Sequence, residues 1–150
     1  MAKQVVEASA ISRAPREEVW ALVADIPGWK DWGPWEVSER EQEGSPDPNG
    51  VGAIRLIRAD KRALGRKPKL REQVNVFEPP QRFGYTVLSG MPVKNYQATV
   101  TLTEAGESTE IVYHIEFDGK YPGVGGITRS VLQSFGADAT ERLARAAERG

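Results

Sequence analysis

The chain has 150 residues, with 20 Lys plus Arg against 21 Asp plus Glu, one His and no Cys, for a formal net charge of −1. A chain of this length is expected to form one domain over residues 1–150 and to bury enough surface to fold without a metal or a disulfide. The missing Cys excludes disulfides and thiolate chemistry, the charge balance argues against a nucleic-acid partner, and no apolar run approaches the length of a membrane span.

The segment Met1–Glu7 lacks the apolar core of a signal peptide, and a cytoplasmic location is expected. Val5 to Ile11 reads as a strand. Ser12 or Ala14 then precedes Pro15, which suits a first helical turn, and Glu17 and Glu18 follow where a helix dipole favours negative charge. Val19, Trp20, Leu22, Val23 and Ile26 form an apolar stripe at helical spacing, which Pro27-Gly28 ends. Trp29, Trp32 and Trp35 recur every third residue and are read as a short aromatic helical turn.

Gly44 to Gly52 is a loop by composition. Ala53–Ala59 and Leu70–Phe77 read as paired strands joined by a basic connection, Asp60–Lys69, that holds Gly65 and Pro68. Pro79-Pro80 breaks the chain. Phe83, Tyr85 and Val87 alternate in the next strand, which Ser89-Gly90-Met91-Pro92 closes. Tyr96, Ala98, Val100 and Leu102 alternate with Gln97, Thr99, Thr101 and Thr103, the pattern of an antiparallel strand with one wet face. After a turn at Glu104–Glu107, Ile111, Tyr113, Ile115 and Phe117 alternate with Val112, His114 and Glu116. Beyond Pro122–Gly126 the period becomes helical, with Ile127, Val131, Phe135, Ala139, Leu143 and Ala146 on one face.

This order gives an α+β fold: a strand, short helices, about five or six strands in an antiparallel meander, and a long last helix. One apolar sheet face and one apolar helix stripe must each be covered, and they are expected to cover each other. The inward set is rich in large aromatics, including Tyr85, Tyr96 and Tyr113, and a buried phenol needs a hydrogen-bond partner. That set by itself reads first as a dry core with satisfied tyrosines, and it also fits a pocket with aromatic walls and a few polar groups.

Several blocks resemble a known family. They are Ser9–Trp20 with Asp25–Trp32, then Gly50-Val51-Gly52-Ala53-Ile54-Arg55, then Glu72-Gln73-Val74 leading through Glu78–Tyr85, and last Tyr96–Phe117. Together they resemble the START-related helix-grip superfamily (SRPBCC), in its bacterial polyketide cyclase/dehydrase and lipid-transport branch, over nearly the whole chain. The resemblance implies a curved antiparallel sheet gripping a long C-terminal helix around an internal cavity. It does not by itself imply a reaction, because that branch holds carriers, binders and aromatase/cyclases.

On this reading the ligand-facing candidates are Trp35, Arg55, Glu72, Tyr85, Met91, Tyr96, Tyr113, Phe117, Val131 and Phe135. If the Arg55 and Glu72 strands form a hairpin centred between Ala63 and Leu64, the two residues lie opposite each other. They are then either a polar anchor, with Glu72 as a general base, or a register-setting ion pair, and Arg55 could instead face outward with Ala53 and Ile57. His114 is expected on the outer sheet face, Trp20 in the core, and Trp32 in a structural role. Met91-Pro92 and Gly123–Gly126 are expected to rim the entrance, or simply to make turns. The basic stretch Lys61–Lys69 is either a solvated loop or a contact for an anionic headgroup or an acidic protein. No cofactor and no metal are expected. The expected partner is a small hydrophobic molecule such as a lipid, polyketide or quinone-like compound, bound without reaction. The alternatives are an aromatase/cyclase or dehydrase acting on a polyketide intermediate, with Arg55 and Glu72 as its catalytic candidates, and a protein-interaction module of the chaperone-activator type.

Overall fold

The computed structural model describes residues 3–62 and 65–149. It contains β1 (Gln4–Ser12), α1 (Arg16–Val23), a 3-10 turn (Ile26–Gly28), α2 (Trp29–Trp32), β2 (Trp35–Gln42), β3 (Ile54–Ala59), β4 (Lys69–Glu78), β5 (Arg82–Ser89), β6 (Val93–Ala105), β7 (Ser108–Gly119) and α3 (Val124–Arg149). The strands form one seven-stranded sheet in the order β1-β7-β6-β5-β4-β3-β2, every neighbouring pair antiparallel. This is the α+β helix-grip arrangement, a curved open sheet holding α3.

The total of seven lies within the sequence expectation of one strand followed by five or six, and β2 is the strand that no sequence segment was assigned to. Trp35 opens this strand and does not continue the turn of Trp29 and Trp32, which form α2. Beyond Ser38, β2 runs Glu39-Arg40-Glu41-Gln42, all exposed, so it carries no alternation to read. It is an edge strand whose charges face water, a composition that discourages further pairing.

The other strands follow their alternation. Tyr96, Ala98, Val100 and Leu102 on β6, and Ile111, Tyr113, Ile115 and Phe117 on β7, all point into the core. Curvature comes from register shifts, among them Arg71/Glu72 and Val74/Val76 on β4 and Lys94/Gln97 on β6. Such bulges bend a strand and increase its twist. Gly84 sits opposite the second β4 shift, where a Cβ would lie 2.9 Å from the Val76 Cβ. No larger residue fits there without moving the bend.

Neither Ser12 nor Ala14 caps α1. Pro15 takes the extended N-cap position, and Ser12 Oγ instead donates to the Ala144 carbonyl of α3 at 2.9 Å. Trp20 is half-buried and meets Phe77 edge-on at 5.3 Å between ring centroids.

Helix α3 lies along β1, the other edge strand. Arg129 Nε donates to the Val5 carbonyl (2.9 Å), Gln133 Nε2 to that of Glu7 (3.0 Å) and Arg145 Nη2 to that of Ile11 (2.7 Å). These side chains occupy acceptors that an edge strand otherwise offers to another chain. Two sequence expectations change here. The helix starts at Val124, ahead of Gly125 and Gly126. Its packed face is Thr128, Leu132, Gly136, Ala139, Thr140, Leu143, Ala144 and Ala147, whereas Ile127 is exposed and Val131, Phe135 and Ala146 are half-buried. Small residues let the helix approach β1 closely, and a Cβ on Gly136 would reach Ala8 and Val6 at 3.8 Å. The bulkier stripe residues Val131 and Phe135 are thereby turned toward open space.

His114 lies on the outer sheet face, its ring nitrogens 3.0 Å from Glu7 Oε1 and 2.9 Å from Glu116 Oε2. The Glu116 hydrogen bond is the main cause that raises its pKa above 6.5, with Glu7 adding to it against partial desolvation. A raised folded-state value means that the stabilisation is full below pH 6.5 and is lost as pH rises through the folded pKa. Because the ring is 36% exposed, the effect is screened to under about 1 kcal/mol. His114→Gln should therefore flatten the decline of Tm above neutral pH. An unchanged profile in thermal unfolding would count against this pair of contacts.

Candidate functional site

Between the inner sheet face and the N-terminal half of α3 lies a partly open cavity of about 450 Å³. That is within the range of small-molecule sites, roughly 300–1,000 Å³. Its walls are mostly aliphatic and aromatic: Ile57, Ala59 and Leu70 from β3 and β4, Ile115 from β7, and Leu132, Phe135 and Ala139 from α3.

The polar groups gather at one place. Arg55 and Glu72 are direct partners in the β3–β4 register. The turn between Ala63 and Leu64 that the sequence reading used lies outside the described residues. Both side chains point inward, along with Ala53, Ile57 and Ala59, so the outward alternative for Arg55 is overturned. Arg55 Nε donates to Glu72 Oε1 at 2.9 Å, and Nη2 lies 2.8 Å from the same oxygen without hydrogen-bond alignment. The guanidinium packs into the corner between two nearly perpendicular rings, 3.8 Å from the Trp29 ring centroid and 4.4 Å from that of Tyr85. Nη1 is buried with no hydrogen-bond partner among the described residues, so π faces take the place of acceptors on that side. Trp29 itself is fixed by donating Nε1–H to the Val23 carbonyl at 2.8 Å.

This stacking directs the carboxylate. One Glu72 oxygen is engaged by Arg55, while Oε2 accepts no hydrogen bond among the described residues and Glu72 lines the cavity. Burial pushes the Glu72 carboxyl above its ordinary range, against the downward pull of Arg55. The hydroxyls of Tyr85 and Tyr113 hydrogen-bond to each other. The Tyr96 hydroxyl has no protein partner among the described residues, and its ring packs between those of Tyr85 (6.4 Å) and Phe117 (6.2 Å). Burial, and then the Glu72 charge, raise the pKa of Tyr96 and Tyr113, so both phenols stay protonated donors. The cavity floor therefore presents one carboxylate oxygen and one hydroxyl that a ligand can engage.

Of the residues singled out from the sequence, Trp35, Glu72, Tyr85, Met91, Tyr96, Tyr113, Val131 and Phe135 line the cavity. Arg55 and Phe117 do not. Arg55 stands behind Glu72 and is wholly buried, and Phe117 is covered by Tyr96, so each supports a wall residue. Trp32 is buried but off the cavity, and Trp35 reaches it by lying across Gly33, where a Cβ would sit 2.1 Å from the indole. Gly90, Met91, Pro92 and Val124 form part of the rim. Arg66, Pro68, Thr128 and Leu132 also line the cavity, although the sequence reading did not select them. Thr128 and Leu132 lay off the apolar stripe, and Arg66 and Pro68 carried only the signal of a basic loop.

Among the described residues, no three of His, Asp and Glu gather where they could hold a metal ion, and no helix is long and apolar enough to cross a membrane. The family model described as polyketide cyclase/dehydrase and lipid transport matches residues 3–148. No curated protein sequence matches the chain. Among solved structures, the Zhui aromatase/cyclase from Streptomyces sp. R1128 superposes with a TM-score of 0.82 at 19% identity, covering 99% of this chain and 95% of that one. A protein from Thermobifida fusca gives 0.75 at 24% identity, covering 97% and 93%. A START superfamily protein from Mycobacterium smegmatis gives 0.73 at 16% identity, covering 97% and 95%. At these identities the structural likeness speaks for the fold alone.

Proposed function

The chain belongs to the polyketide cyclase/dehydrase and lipid transport family, and from that premise we propose that it binds a small, mainly apolar molecule carrying a hydroxyl or similar hydrogen-bond donor. The observation that carries this reading is the contrast within the cavity. Its walls are apolar, and its floor holds a carboxylate oxygen and a phenol without protein partners. Glu72 Oε2 is open to the cavity, and a hydrogen bond from a ligand donor to it contributes about 0.5–1.5 kcal/mol and fixes the ligand's orientation. The apolar body supplies affinity by displacing water from the walls.

Native mass spectrometry of the protein purified from its own cells tests the proposal. One apolar molecule per chain, with a hydroxyl or comparable donor, is the expected result. A protein that arrives empty, and that takes up neither a long-chain alcohol nor a diol, would count against it.

A second reading rests on Glu72 alone. A desolvated carboxylate with a free oxygen is chemically a general base, and an aromatase/cyclase or dehydrase needs one to remove a proton beside a carbonyl. On that reading Glu72→Gln abolishes turnover of a polyketide substrate while binding persists. Without turnover by the wild-type protein, the binder reading stands alone.

A further inference from the structure

Beside the mouth of the cavity lies a second, more open cleft of about 370 Å³. Val131 and Phe135 of α3 belong to both spaces and form the divide between them. The second cleft differs in chemistry. It is lined by Lys61 and Arg62 from the β3–β4 connection, Ser130 and Ser134 from the next face of α3, and Asp138. Arg66 stands on the neighbouring rim of the main cavity.

The charges around this cleft are unevenly committed. Asp138 is held by Arg142 Nε at 3.1 Å, and Asp60 lies 3.8 Å from the same Arg. Lys67 and Arg58 both pair with Glu36. Lys61, Arg62 and Arg66 form no ion pair among the described residues, and Arg62 donates only to the Gly65 carbonyl at 3.1 Å. The cleft, whose Lys61 and Arg62 are exposed, therefore carries cationic charge in excess, while Glu72, which is buried, presents its free oxygen to the main cavity.

We infer that the ligand is an amphipathic carboxylate, with its hydroxyl-bearing apolar body in the cavity and its anionic end in the cleft between Lys61, Arg62 and the two serines. This rests on the binding function proposed above and adds the ligand's charge and its orientation. The two ends are not equivalent. A carboxylate beside Glu72 meets another carboxyl group whose one cation, Arg55, is already engaged, whereas in the cleft it meets an ammonium, a guanidinium and two hydroxyl donors. The ligand enters neutral end first, and Val131 and Phe135 mark where its apolar part gives way to its head.

Three probes of one chain length separate the parts of this inference: ω-hydroxydodecanoate, dodecane-α,ω-diol and dodecanedioate, titrated calorimetrically into the full chain. The hydroxy acid should bind about tenfold more tightly than the diol, and that advantage should shrink with added salt. The dicarboxylate should bind more weakly than the hydroxy acid, because one of its ends must face Glu72. In the double variant Lys61→Gln/Arg62→Gln, both of whose positions are exposed, the hydroxy acid and the diol should bind alike while the diol is unaffected. Equal affinity of hydroxy acid and diol in the wild type, or a preference that survives the double substitution, overturns the inference and leaves the binding function standing. If no probe binds, both fail together.

Discussion

Replacing Arg55 by Met should destabilise the protein by about 3–5 kcal/mol, the usual cost of removing one partner of a buried ion pair. Arg55 is 0% exposed and Glu72 1% exposed, so neither charge has water to fall back on. The loss goes beyond the pair itself. The guanidinium fills the space between Trp29 and Tyr85, and Met retains only part of that packing. For a chain of this size the change corresponds to a fall in Tm of roughly 10 °C or more. Its pH dependence identifies the cause. Without Arg55 the Glu72 carboxyl moves further above its reference value of 4.5, so the folded variant holds a proton that its unfolded state has released. Stability is then fully present below the unfolded-state value and falls as pH rises through the folded one. The variant should approach the wild type in acid and diverge from it toward neutrality. Adding Glu72→Leu should recover much of the lost stability, since an apolar pair of similar volume often replaces a buried ion pair at little cost. Denaturant unfolding across pH reads all three chains. A loss below about 1 kcal/mol at neutral pH would show that the pair is hydrated and sets register only.

Filling the cavity from α3 should weaken binding strongly with little effect on folding. Val131 is half-buried and belongs to the walls of both the cavity and the adjoining cleft, so Val131→Trp places an indole where a ligand must pass. Val and Trp have similar helix propensity, and the site has room, so stability should stay within about 1 kcal/mol of the wild type. Occupancy by the ω-hydroxydodecanoate or diol probe, read by native mass spectrometry, should drop by about tenfold to a hundredfold. Such a loss with an unchanged Tm separates a blocked cavity from a damaged fold. Unchanged occupancy would place the binding surface elsewhere, and the cavity would lose its functional standing.

How far each feature was legible depends on the range of the interaction behind it. The alternation on β6 and β7, the periodicity of α1 and α3, and the proline and glycine breaks between elements are local signals, and with the family resemblance they led to the helix-grip fold. The inward phase of Tyr85, Tyr96 and Tyr113 came from the same alternation. Strand β2 was illegible because an exposed edge strand needs no apolar face, and its partner β3 supplies the pairing.

The sequence by itself determined the order and type of most elements, the aromatic character of the inner face, and the pairing of Arg55 with Glu72 as a possibility. Only the tertiary structure decided that both members of that pair turn inward, that Trp29 and Tyr85 clamp the guanidinium, and that one carboxylate oxygen is left for the cavity. It also decided that α3 seats its small residues on β1 and turns Val131 and Phe135 over open space, and that Phe117 stands behind Tyr96. The reason is physical: periodicity tells which side of an element is apolar, whereas the choice between packing against a neighbour and facing a void depends on how closely two surfaces can approach. That distance is set by side chains far apart in the chain, here the small residues of α3 against Val6 and Ala8 of β1.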